Sequence, residues 1–234
     1  MTTQCFAQVR GRVIRVTKLN SCGVPDPGAS AVVVSKRVSS VTIDEVTEDG
    51  TNIRERNFAD ELEIVDDAYT QVLGYSGAIA LCGVDPGLIS LFTGQPVVQN
   101  AAGDIVGFDA KTGIDLDGFG FALEVWSKIA GAACDASGRR KWGYTVFPFF
   151  KGGRIGGFSF ENAAVQFSIT GAQTRDGAAW GTGPFQVDRG AGPAFAPAPL
   201  FTPLTSTTHY RNQLVTLDPP VASCGAFALA AGSF

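Results

Sequence analysis

One histidine, His209, stands in the run TTHYRNQLVTL, and five cysteines (Cys5, Cys22, Cys82, Cys134 and Cys224) are scattered along the chain. A Ser/His/Asp or Cys/His relay would have to use His209, because imidazole is the side chain that exchanges a proton near neutrality. Cys134 or Cys224 would be the thiol. No GxSxG or HExxH segment accompanies them, and a histidine inside a strand pattern reads as structural. Asp115 and Asp117 in GIDLDG could begin a calcium loop, but the remaining oxygen ligands are missing, so both read as turn formers. Gly152 to Gly157 (GGRIGG) has the glycines of a phosphate cradle without its GKS or GKT ending or a long helix behind it, so a turn between strands is expected. The cysteines are odd in number, widely spaced and without CxxC, which favours reduced, mostly buried thiols in a chain made in the cytoplasm over a zinc site or disulfide framework. The reading is a non-enzyme with no cofactor or metal.

Charge is more informative. Asp44 to Asp67 carries ten acids against Arg54 and Arg56, a local net charge of −8 in a chain of −4, so the remainder carries +4. Such a run is either a solvated hairpin or loop, or a docking arm whose acids meet a basic surface on a neighbouring copy. Arg10 to Lys18, and Arg139, Arg140 and Lys141, would supply that surface. The inter-subunit candidates are therefore Arg10, Arg12, Arg54, Arg56, Asp60, Glu61, Asp66, Arg139 and Arg140. Charged residues make up 17% of the 234, against roughly 25% in an ordinary soluble domain. There are twelve Arg to six Lys, and 17 Phe. Arg is the cation preferred where protein surfaces meet, so the composition describes a subunit that covers itself with partners. A sequence pI near 5.0 argues against gripping duplex DNA.

The clearest element is Gly77 to Pro96 (GAIALCGVDPGLISLFTGQP). Asp85 is an N-cap, Pro86 fits the first helical position, Leu88, Ile89, Leu91 and Phe92 form the apolar stripe, and Gly94 with Pro96 ends a short helix. Upstream, Leu73, Tyr75, Ile79 and Leu81 share one phase of a strand. Phe6 to Leu19 reads as a strand with Arg10, Arg12, Arg15 and Lys18 on its exposed side. Strands follow at Ala31 to Val46, Phe119 to Ile129, Trp142 to Phe150, Val165 to Thr170 and Thr207 to Leu217, with a short pair around the turn Asn100 to Asp104. Asp188 to Pro203 has the Pro/Ala content of an extended arm. The expected fold is mainly β: a two-sheet β-sandwich or barrel with one short flanking α-helix. It is one domain, 1–234, with an extended acidic loop at about 44–67 and an extended C-terminal arm at about 188–234. There is no run of 18 apolar residues and no signal-peptide pattern, so no membrane is expected.

Several blocks in order carry a resemblance: LCGVDPGLISLFTGQPVV, NAAGDIVGF, FPFFKGGRIGGFSFENAAVQFSITGAQT, WGTGPF and HYRNQLVTLDPPVASCG. From about Cys5 to Cys224 the chain closely resembles the major tail proteins, or tail tube proteins, of long-tailed, non-contractile bacteriophages that infect actinobacteria. The resemblance implies a virion structural protein assembled in the host cytoplasm, six copies closing into a ring and rings stacking into the tube that conducts genome DNA into the host. It implies as partners the chain itself, the tape-measure protein, the tail terminator and the distal tail protein, with DNA passing without sequence-specific contact. Competing readings are a distal tail or tail-completion protein of related fold, and a carbohydrate-binding sandwich stacking sugars on Trp142 and Trp180.

Overall fold

The structure is a computed structural model that describes residues 4–131, 134–135, 137–158, 160, 162, 165–190 and 195–230. In chain order the elements are β1 (Gln8–Asn20), β2 (Gly28–Ser35), β3 (Val38–Asp49), β4 (Ile53–Arg56), β5 (Leu62–Asp66), β6 (Thr70–Leu81), α1 (Pro86–Thr93), β7 (Val97–Gln99), β8 (Ile105–Phe108), β9 (Phe119–Ile129) and β10 (Trp142–Lys151). After these come β11 (Arg154–Ile155), β12 (Phe167–Thr174), β13 (Asp188–Arg189), β14 (Pro197–Ala198), β15 (Arg211–Val215) and β16 (Ala226–Leu229). The fold is mainly β, with about half of the described residues in strands and one α-helix among them. A large antiparallel sheet runs β16-β2-β1-β9-β10-β12-β6-β3, with β11 added to β12 and β15 to β10.

The pivot of that sheet is Pro148. β9 follows one edge of β10, with a register shift between Phe147 and Phe150. On the other edge Trp142 to Val146 pair with β15, and Phe150 and Lys151 pair with β12. Proline offers no N–H to a ladder, and the extra residue bends the strand, so β10 changes partners and the sheet turns there. The turn brings Ile79, Leu81, Phe167 and Ile169 of β6 and β12 into one apolar cluster with Ile14, Val16, Phe121, Leu123, Phe147 and Phe150 of β1, β9 and β10. Helix α1 adds Leu88, Ile89, Leu91 and Phe92 to the same cluster. On the opposite face of the sheet, Val13, Ala122, Trp126, Tyr144 and Val146 form a second cluster with Trp180, Val187, Leu200 and Leu204. Strands β1, β9 and β10 are thus covered on both faces, and each fully buried Phe or Leu contributes roughly 1.5–3 kcal/mol.

The helix forms where the residues place it. Asp85 Oδ1 accepts from the Leu88 amide at 3.2 Å, and Gly94 closes the helix in the left-handed conformation, φ 67°, donating to the Ser90 carbonyl. A Cβ at Gly94 would also collide with the Phe119 ring. At Gly153 a Cβ would fall 2.2 Å from the Phe92 carbonyl oxygen, so the glycine-rich turn is there to let backbone approach the helix end.

Three expectations are corrected. The described residues of Asp188 to Pro203 do not extend as an arm: Asp188 and Arg189 pair with Ala198 and Pro197, and Leu200 is buried in the second cluster between Val187 and Leu204 in sequence. The tail beyond Asp218 carries another strand, β16, paired with β2 through Ala226↔Val33 and Phe227↔Val32. All five cysteines are exposed rather than buried, because they lie in connections: before β1, in the β1–β2 turn, just past β6, in the β9–β10 loop and ahead of β16. No helix among the described residues is long and apolar enough to cross a membrane.

Candidate assembly surfaces

The acidic excursion is a β-hairpin that extends the β3–β6 ladder. Pairing continues from Val38↔Leu81 to Asp49↔Thr70, but core burial does not: Gly77, Ile79 and Leu81 are buried, while Thr70 to Leu73 are exposed. Leu73, on the same strand phase as Ile79 and Leu81, therefore lies outside the core. Beyond Asp49 the chain continues as a two-stranded ribbon, β4 on β5, with Ile53↔Asp66, Arg54↔Val65 and Glu55↔Ile64 in register. Asn57 makes the turn, its side-chain oxygen accepting from the amides of Ala59 (2.9 Å) and Glu61 (3.1 Å). Ile53, Leu62, Ile64, Val65, Tyr69, Val72 and Leu73 are exposed along this arm, and Phe58 at its tip is completely exposed. A lone ribbon is marginal in water, and clustered exposed apolar groups mark a contact surface.

The arm satisfies part of its own charge. Arg54 pairs with Asp67 at 2.8 Å and Arg56 with Asp60 at 3.3 Å, so three of the sequence candidates form ion pairs inside the arm. Exposed pairs of this kind are worth about 0–1 kcal/mol. Glu61 accepts weakly from the Asn57 side chain at 3.4 Å. Glu55, Glu61, Glu63 and Asp66 are exposed and form no ion pair with any described residue, which leaves them as the outward charges.

The basic surface is narrower than its sequence suggests. Arg15 is not on the exposed side of β1: its Nε and Nη2 donate to Glu124 Oε2 and Oε1 at 2.5 and 2.6 Å, with both side chains buried. Tyr144 adds its hydroxyl to Glu124 at 2.7 Å, and the Phe185 ring lies 3.6 Å from the guanidinium carbon. Lys18 pairs with Asp26 at 2.6 Å. Arg10 and Arg12 remain exposed. Register shifts on either side of Gly11 free this half of β1 from regular pleating, and Arg10 takes φ 54°, a conformation in which a bulge re-aims the side chain. Lys128 of β9 pairs with Val9 on one side and Trp142 on the other, which places it between Arg10 and Arg12 on β1 and Arg140 ahead of β10; Arg12 chiefly, then partial burial, Arg140 and Arg10 hold its ammonium below its ordinary pKa. Arg140 also lies over the Trp142 ring at 4.7 Å, and Arg139 over Phe195 at 4.3 Å. The Asp135 carboxylate, held below its ordinary pKa chiefly by the Arg139 amide, braces that loop.

His209 sits between Thr174 and Asp176, its Nε2 3.8 Å from Asp176 Oδ1. His209 Nδ1 lies 2.9 Å from Thr174 Oγ1, which also accepts from the Tyr75 amide. Asp115 accepts from the Asp117 amide at 2.9 Å, as a turn former does. Trp142 and Trp180 are buried, which removes the sugar platform they were weighed for. The Arg15–Glu124–Tyr144 group is the arrangement the sequence reading missed; its signal was Glu124, the single acid of the apolar run FGFALEVWSKI. No protein-family model matches the chain, and no curated protein matches it.

Proposed function

We propose that this protein is a structural subunit that polymerises with copies of itself, as the major tail protein of a long-tailed, non-contractile bacteriophage does. Its sheet would then be the β-sandwich of the tail-tube kind, its rings six-membered, and its stacked rings the conduit for genome DNA. One observation carries the reading: acids and exposed apolar side chains are gathered on a ribbon that projects past the core, while Arg10, Arg12, Lys128 and Arg140 share a surface at the bulged half of β1. A protrusion of one character and a receiving surface of the other on the same subunit make a head-to-tail contact, which closes into rings or propagates into filaments. An acidic overall balance also suits a tube through which a polyanion must slide without being held.

The test is negative-stain microscopy and sedimentation of the purified chain over a concentration series. Rings or tubes that appear with rising concentration and weaken with salt are expected. A single compact particle at every concentration refutes the reading.

A further inference from the structure

We propose that the groove between the bulged half of β1 and the start of β3 receives strand β5 of a second copy's arm, added as an extra strand at an open sheet edge. This rests on the self-assembly reading above and assigns its donor and acceptor.

The groove lies along two open edges. Among the described residues Gln8 to Val13 of β1 pair with β9 alone, since the pairing with β2 starts at Ile14. β3, among the described residues, pairs with β6 alone. Residues of both strands, including Arg10, Arg12, Ser39 and Val41, line a groove of about 370 Å³ with Lys36 at the corner and Val125 on β9. Unpaired strand edges are templates for an added strand, and a lining of apolar, hydroxyl and cationic side chains suits one that carries both apolar and acidic residues. Arg10, Arg12 and Lys36 form no ion pair with any described residue. Three cations lining one groove favour an anionic occupant, and the charges of Arg12 and Arg10 are felt at Lys128, which pairs with Val9 across the β1–β9 ladder.

The arm supplies one. β5, LEIVD, sets Glu63 and Asp66 among the apolar residues Leu62, Ile64 and Val65, so that each face of the strand carries one acid, and among the described residues it has one open edge because the ribbon has two strands. β4 is the poorer donor: Arg54 and Arg56 would meet the groove's cations, and like charges on neighbouring strands repel. The occupant cannot be the chain's own arm. β3 touches the groove at Val38 to Val41 and leads away from it, and the eight residues from Val41 to Asp49 carry the ribbon roughly 26 Å further on. Donor and acceptor lie at opposite ends of one ladder, so only another copy can join them.

The full-length chain tests this by charge exchange. R10E/R12E alters the acceptor, E63K/D66K alters the donor, and all four positions are exposed, so circular dichroism should match the wild type. Each double variant should raise the concentration for half-assembly at least tenfold, and the chain carrying all four substitutions should return to within about threefold of wild type. Hydrogen exchange should show amides of Gln8 to Val13 and Leu62 to Asp66 slowed in the assembled form. If wild type assembles but the double variants assemble alike, if the fourfold chain is no better than either double, or if those amides stay unprotected, the groove assignment falls while self-assembly stands. If wild type never assembles, both fall.

Discussion

Replacing Glu124 by Gln would keep the shape of the second apolar cluster and remove one charge from beneath it. Glu124 Oε1 and Oε2 accept from two guanidinium nitrogens of Arg15 and from the Tyr144 hydroxyl at 2.5–2.7 Å, with side-chain exposures of 6% for Arg15 and 1% for Glu124. The E124Q chain would hold a guanidinium under Phe185 and beside Trp126 with no counter-charge. Breaking a buried pair from one side costs about 3–5 kcal/mol, because the surviving ion loses both water and partner. In a domain of this size about 1 kcal/mol moves the melting temperature by roughly 2–4 °C, so a fall of roughly 6–20 °C is expected. The control is the apolar replacement R15M/E124L/Y144F, which leaves neither an ion nor an orphaned hydroxyl and should lie within about 2 kcal/mol of wild type. Urea unfolding, followed by tryptophan fluorescence and circular dichroism in dilute high-salt solution where the chain is unassembled, measures all three. A loss below about 1 kcal/mol in E124Q, or a triple variant as unstable as E124Q, would refute the idea that an unpaired charge is what destabilises.

Tyr144 gives a pH signature. Burial first, and the Glu124 carboxylate second, raise its phenol well above the ordinary value of 10.0. The folded-state pKa exceeds the unfolded one, so this contribution is intact below about pH 10 and is lost as pH climbs beyond it; Y144F should flatten the alkaline limb of stability measured by urea unfolding. D85A removes the cap on α1 and should cost about 1 kcal/mol, read as a lower urea midpoint; an unchanged midpoint would mean that packing alone holds the helix. F58S should leave monomer stability within about 0.5 kcal/mol of wild type, since the ring is completely exposed, yet raise the assembly threshold severalfold in light scattering. An unchanged threshold would exclude the arm tip from any contact.

What could be read along the chain was whatever depends on neighbours in sequence. The helix from Pro86 to Thr93 was legible because cap, proline, stripe and glycine all act within one turn of the residues they control. The β7–β8 hairpin was legible through Asn100, whose side-chain oxygen takes the amides of Ala102 and Asp104. The burial of Leu200 and Leu204 was not, because they are isolated apolar residues in a Pro-rich stretch, and only the Trp126–Tyr144 face of the sheet gives them something to cover. The C-terminal strand was missed for a similar reason: AFAL has no pattern of its own and is a strand because the edge of β2 is there to pair with it.

The candidate surface divides along the same line. Sequence alone determined that acids are concentrated between Asp44 and Asp67 and that the remainder is net basic, because charge is a property of residues and survives any folding. Tertiary structure decided which of those charges are available. It buried Arg15 against Glu124, from a strand 109 positions away in sequence, tied Arg54 and Arg56 to acids of their own arm, and left Arg10 and Arg12 exposed beside a bulge. The physical reason is that an ion's influence depends on its distance from the opposite charge and on the water between them, and both are set by which strands the fold brings side by side.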